Sequence, residues 1–306
     1  MSSSSEFHDG PGAVDASVPG RLVSREESAR SGSKAAEKRR RKIPWFIFQA
    51  EIPLRAKIAL AVCAWVILMG AWYFLSTANP EMQRIFPTPV QVVEALGTLF
   101  IEKAFIGDVW QSITRIGFSF LLAVATALPI ALLMGAFPAV DGLMNPIVSP
   151  FRYLPAPSFI PFLLAWLGTG DEQKVALLFL GVIWFLISLL VDDTKRVPLD
   201  YIRSAQTLGA GRRQVLFRVI LPSALPHYLD TIRQMLAVSW TYLVIAEIVA
   251  ATDGIGAVMM RAKRFVKMDD ILACILVIGV LGFLSDILLR GVRWYAFPYL
   301  RQQPRG

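Results

Sequence analysis

The stretch 203–226, RSAQTLGAGRRQVLFRVILPSALP, interrupts an otherwise apolar chain with four arginines, two glycines and two prolines. Its apolar residues nevertheless keep helical spacing. Pro198 to Thr207 reads as a short helix with proline near its first turn. Gly209 and Gly211 break it, because glycine adopts positive φ at little cost. Arg212 to Leu221 reads as a second helix, with Val215, Leu216, Val219 and Ile220 on one face and arginines elsewhere. Pro222 and Pro226 are expected to end that helix and lead into the next apolar run. The pattern predicts a helix, a glycine turn and a helix, set between two long hydrophobic segments.

Those flanking segments decide the class. Of 306 residues 55% are hydrophobic and only 18% charged, with a mean hydropathy of +0.53. Soluble domains rarely combine these values, and several windows are long enough to cross a bilayer. The expected fold is an all-α membrane protein with about six transmembrane helices: 58–76, 116–135, a third from Pro146 through FLLAWLG, 175–191, 234–251 and 271–289. The third is expected to be irregular, since five prolines fall between Pro146 and Pro161. Residues 1–42, rich in Ser, Gly and charge, read as a disordered tail, 43–57 as an interfacial segment, 58–298 as the transmembrane domain and 299–306 as a C-terminal tail. Cys63 and Cys274 lie in apolar runs and read as buried thiols rather than disulfide partners or metal ligands.

The formal charge of +8 could suggest nucleic acid, but in membrane proteins Lys and Arg collect on cytoplasmic loops. Segments 38–57, 192–233 and 290–306 hold 18 basic residues, against 8 in 77–115, 168–174 and 252–270. This bias puts both termini and the 203–226 stretch in the cytoplasm. The cluster Arg261, Lys263, Arg264 and Lys267 runs against it.

Three readings of 203–226 compete. An interfacial helix would only snorkel its arginines. A DNA-binding helix-turn-helix lacks room for the third helix of its core, and both its ends are tied to membrane spans. A docking element for a cytoplasmic partner would use apolar knobs and an arginine rim.

The stretch resembles the signature loop of ABC importer permeases: Glu-Ala-Ala, three residues, Gly, nine residues, Ile or Val, any residue, Leu-Pro. Ala205, Gly209, Val219, Leu221 and Pro222 match at that spacing, while Arg203 and Ser204 replace the Glu and the first Ala. FPTPVQVVEAL (86–96), SITRIGFSF (112–120), YLPAPSFIPFLLAWLGTGDEQK (153–174), WTYLVIAEIVAATDGIGAV (240–258) and LGFLSDILLRGVRWYAFPYLR (281–301) extend the resemblance over about 85–298. Together they are similar to permeases of the nitrate/taurine/sulfonate/bicarbonate group. That resemblance implies the type I importer fold in a bacterial inner membrane, and a small, mostly anionic solute, with uncharged or cationic nutrients as an alternative. It also implies two ATPase subunits on the 198–226 loop, a second copy of the permease and an extracytoplasmic solute-binding protein. Arg203, Ala205, Gly209, Arg212, Arg213, Val219, Leu221 and Pro222 would then form the coupling element. A secondary transporter that needs no ATPase is the more distant alternative.

No stretch matches a Gly-rich phosphate loop ending in Gly-Lys-Ser/Thr, so ATP and Mg²⁺ are expected on partner subunits and this chain is expected to be non-catalytic, without a cofactor or metal. Within the spans, ionisable groups are costly and therefore candidates for function. Glu247 has two readings, a hydrogen bond to a neighbouring helix or a gate. Asp286 reads as a helix-end pair with Arg290. Arg115 and Arg152 could attract an anion or snorkel, and Trp240 and Tyr242 read mainly as packing. The broken third span offers a solute route through Arg152, Tyr153, Pro155 and Pro157, because irregular backbone is tolerated in membranes where it lines a cavity.

Overall fold

A bilayer core supplies no water to peptide groups, so apolar runs of this length close their hydrogen bonds within helices. The structure, a computed structural model, describes residues 52–79, 85–249 and 252–299, all of whose regular elements are helical. They are α1 (Leu54–Thr77), α2 (Pro89–Glu102), α3 (Phe105–Ala136), α4 (Pro138–Phe151), a 3₁₀ turn (Ala156–Phe159), α5 (Ile160–Leu167), α6 (Asp171–Lys195), α7 (Leu199–Thr207), α8 (Arg212–Val249), α9 (Ile255–Arg264) and α10 (Met268–Ala296). The tail 1–42, most of the interfacial segment 43–57 and residues 300–306 lie outside the described residues.

Five helices, α1, α3, α6, α8 and α10, are long and apolar enough to cross a membrane. The expectation of six is corrected at the third. Its prolines divide 138–167 into α4, the 3₁₀ turn and α5, none of membrane length. Each proline removes a backbone donor and crowds the carbonyl four residues earlier. Pro155 and Pro157 fall close enough together to prevent recovery of the α-ladder between α4 and α5.

The chain divides at Gly70 into two units. In the first, residues 54–70 of α1 are exposed apart from Ala56, which is half-buried; after Arg55 and Lys57 they carry no charge, and Cys63 is exposed with them rather than buried. The second unit holds residues 71–77 of α1 and the remaining helices. Its main core runs along α3, α6 and α8 and includes Ala123, Ala127, Ala131, Leu186, Leu190 and Tyr228. Alanines at four-residue spacing lie on one face of α3 and let α6 approach closely. Gly135 has the same cause, since a Cβ there would lie 2.3 Å from Thr194 Cβ. Asp286 takes Arg290 Nη2 at 2.7 Å, the expected helix-end pair, and also faces Arg233 at 3.4 Å.

Antiparallel travel of α6 and α8 fixes the two ends of this unit. The 196–211 segment joins them at one end. The start of α6, the 252–254 turn and α9 share the other, where Lys174 Nζ reaches Asp253 Oδ1 at 2.7 Å.

Candidate functional site

The glycine turn of the 203–226 stretch is a helix cap. Gly209 has φ +83° and donates to Gln206 O at 2.9 Å, while Ala210 N donates to Ala205 O at 3.0 Å. This paired pattern is a Schellman motif, in which the residue after the cap takes a left-handed conformation and the next packs back on the last turn. Ala205 and Ala210 are the small residues that meet there, and both rest on the main core with Ile202. The spacing from Ala205 to Gly209 thus has a local cause. Gly211, at φ −71°, needs no left-handed freedom and instead starts α8, its N–H donating to Gln214 Oε1 at 2.9 Å.

Pro222 and Pro226 do not end the second helix. α8 runs unbroken from Arg212 to Val249 because residues 216–220 form a π turn, with Leu221 N donating to Leu216 O. The extra residue in that turn accommodates Pro222, which lacks a donor for the carbonyl of Arg218.

The element has two faces. Val215, Leu216 and Ile220, expected as one apolar face, turn into the chain's own core, with Val219 and Leu221 half-buried. Arg203, Arg212, Arg213 and Pro222 are exposed beside Leu199, Tyr201, Leu208 and Phe217, with Leu208 87% exposed. Sequence reasoning missed these four hydrophobic side chains. The available signal was that they fall off the apolar stripe, on the side shared with the arginines.

At the opposite end, charged groups are buried together. Glu247 Oε1 accepts from Ser112 Oγ at 2.7 Å and from Arg115 Nη1 at 2.6 Å, and Glu247 Oε2 accepts from Gly256 N at 2.8 Å. Arg115 also binds Asp253 Oδ1 through Nη2 at 3.0 Å and Asp171 Oδ1 through Nε at 3.0 Å. Lys174, fully buried, donates to Asp253 and to Thr252. Arg115 therefore does not snorkel; its side chain is 1% exposed and tied to three acids on α6, α8 and the 252–254 turn. Burial alone would raise the Asp253 carboxyl, but hydrogen bonds from Lys174 and Thr252 and the nearby cations hold it at about 2. Gly254 and Gly256 are required by Glu247, because a Cβ would lie 2.4 Å and 2.5 Å from its side chain.

Among the described residues, the other candidates make no hydrogen bond or ion pair to this network, and Trp240 lies apart from the 152–157 stretch. Trp240 is buried against Ile116, Leu178 and Leu243. Tyr153 and Pro155 are exposed and Pro157 half-buried, while Ala156, Ile160 and Leu163 fix that stretch against α6 and α8. Arg152 stacks over the Tyr153 ring at 5.2 Å. An open groove of about 570 Å³ lies between α3 and α6, with Arg115, Asp171 and Glu172 at one end and Phe118, Leu122 and Phe179 among its apolar lining. Among the described residues no group of three or more His, Cys, Asp and Glu could hold a metal ion.

Comparison with known proteins identifies the family and the fold. Residues 127–293 match the family described as binding-protein-dependent transport system inner membrane component. The chain is 34% identical to the taurine transport system permease protein of Escherichia coli (strain K12), over 81% of this chain and 92% of that one. It is 25% identical to a nitrate import permease protein of Synechocystis sp. (strain ATCC 27184 / PCC 6803 / Kazusa), over 84% and 94%. Among solved structures, a methionine ABC transporter in an inward facing conformation superposes with a TM-score of 0.52 at 20% identity, covering 61% of this chain and 95% of that one. A bacterial ABC transporter involved in the import of alginate gives 0.53 at 16%, covering 78% and 96%.

Proposed function

We propose a specific role for this chain, which belongs to the binding-protein-dependent transport inner membrane components, the permease subunits of ABC importers: it carries a small anionic solute of the sulfonate or nitrate class into the cytoplasm, driven by ATPases bound to its 198–226 element. The solute class rests on the likeness to taurine and nitrate permeases, and the ATPase coupling on that element's geometry. A helix closed by a Schellman cap and seated on the core through Ile202, Ala205 and Ala210 moves as a rigid lever. Tyr201 and Leu208 project as knobs beside Arg203, Arg212 and Arg213, a pattern that suits a groove with an acidic rim. Closure of two ATPases on two such levers, one from each copy of the permease, would turn the helices. The element's end is then cytoplasmic, as are both termini, and the 252–267 end faces an extracytoplasmic solute-binding protein.

The test is reconstitution of permease and ATPases in liposomes with the loaded binding protein. Gly209→Val forces a β-branched residue to φ +83°, where L side chains are strained. Membrane insertion should be unchanged and uptake should fall by about tenfold or more, since the cap sets the lever's angle. Full uptake and full stimulated ATP hydrolysis in the variant would overturn the reading.

One observation favours a second reading, an uncharged or cationic nutrient. The groove between α3 and α6 sets Asp171 and Glu172 against Arg115, so its rim is net negative. Calorimetry of the solute-binding protein with taurine, nitrate and a cationic amino acid separates the two.

A further inference from the structure

The basic cluster that opposes the charge bias closes α9 in a way that mirrors the lever at the other end. Val266 N donates to Lys263 O at 3.1 Å and Lys267 N to Ala262 O at 3.0 Å, which is again a Schellman cap. At the corresponding position α7 has Gly209, whereas α9 has Val266 at φ +56°. A β-branched residue is a poor choice for left-handed backbone, and glycine would satisfy the same hydrogen bonds without strain. The valine is not there to fill a core, because Val266 is 68% exposed and Phe265 beside it 76%. Strain held at a solvent-facing position points to use of the side chain.

Around these two side chains the charge is cationic. Lys263, Arg264 and Lys267 are exposed and make no ion pair among the described residues, unlike Arg261 and Lys103, which hold Asp108 and Asp270. Beneath Phe265 a cleft of about 370 Å³, lined also by Leu99, Val258 and Lys267, has room for a partner's side chain. The turn is itself fixed, since Gly254 N and Arg261 both bind Asp108 and Gly256 N binds Glu247.

We infer that the 261–267 turn docks an acidic lobe of the solute-binding protein, with Phe265 and Val266 as apolar anchors, the adjoining cleft as a socket and Lys263, Arg264 and Lys267 as the steering rim. This rests on the importer reading given above. Apolar anchors ringed by complementary charge are how such interfaces combine affinity with fast encounter. Anionic headgroups would meet the same cations, but a headgroup plane offers no side chain to seat in the cleft beside Phe265, whereas a folded partner does.

The experiment uses the full permease–ATPase complex in nanodiscs and the solute-binding protein loaded with whichever of taurine or nitrate it binds by calorimetry. The readout is the binding-protein concentration giving half-maximal stimulation of ATP hydrolysis. Val266→Gly keeps a residue suited to the backbone, so the turn survives while the anchor is lost; the half-maximal concentration should rise by about fivefold, typical of losing one apolar anchor. Lys263→Glu with Arg264→Glu should raise it by about tenfold or more and weaken its dependence on salt. Unstimulated hydrolysis should be unchanged in both. An unchanged half-maximal concentration in both variants overturns the docking surface, as does an effect that follows the anionic lipid content and not the binding protein. Failure of the wild-type complex to respond to the loaded binding protein would instead overturn the importer reading on which this rests.

Discussion

Glu247 shows how one buried carboxylate can fix three segments. Its two oxygens take Ser112 and Arg115 from α3 and the backbone N–H of Gly256 at the start of α9. Of the two roles its sequence position allowed, the hydrogen bond to a neighbouring helix is the one the geometry displays. Breaking a buried ion pair costs more than removing it, because the surviving charge keeps its desolvation cost and loses its partner. Glu247→Gln is therefore expected to destabilise the folded permease by about 3 kcal/mol. Combining Arg115→Met with Glu247→Met should cost less than the sum of the two single changes by at least about 1 kcal/mol. Thermal unfolding of the purified proteins in one detergent measures all four corners of the cycle; strict additivity would show that the pair is not coupled.

At the scale of the element, the same residue types lead to different outcomes according to what surrounds them. Gly209 was legible because its need is local: a left-handed cap residue is required whatever the neighbours. Gly211 was misread by the same rule, since a helix start accepts glycine at ordinary φ. Pro222 and Pro226 read as terminators because proline breaks isolated helices, yet a π turn and packing against α6 carry α8 through both. That compensation depends on tertiary contacts that no local pattern states. The inward turn of Val215, Leu216 and Ile220 was hidden for the same reason: an apolar stripe says that something covers it, not what. Ala205 follows from the seating of α7. A larger side chain there would meet Ala210 and the core together, so Ala205→Leu should lift the lever from its seat at about 1–3 kcal/mol of overpacking. The complex should still assemble and hydrolyse ATP, with fewer solute molecules moved per ATP. Uptake and hydrolysis measured on the same proteoliposomes give that ratio, and a ratio equal to wild type would remove the seating role of Ala205.

Across the whole second unit, the two ends are built to different rules. One end presents an exposed, arginine-bearing lever on a glycine cap; the other ties α3, α6, α8 and α9 together through ion pairs and hydrogen bonds centred on buried Arg115, Lys174 and Glu247, and presents a strained valine cap. The stretch that belongs to neither design is 152–161. Its prolines were plain in the sequence, and the consequence, a break between α4 and α5 instead of a sixth span, follows from the lost donors. Ala156, Ile160 and Leu163 hold one side of it against α6 and α8, which leaves Tyr153, Leu154 and Pro155 exposed on the other. In a membrane an exposed, irregular backbone belongs beside water or protein rather than lipid. If this face lines the solute route, single cysteines at Tyr153, Leu154 and Pro155 should react with a membrane-impermeant thiol reagent at rates that change by about tenfold between the nucleotide-free and ATP-trapped complex. That contrast is of the order expected when a site moves between open and occluded states. A cysteine at Ala156, on the packed side, should stay protected in both. Uniform protection at all four positions, or equal rates with and without nucleotide, would show that the break is covered by a neighbouring chain and that the solute passes elsewhere.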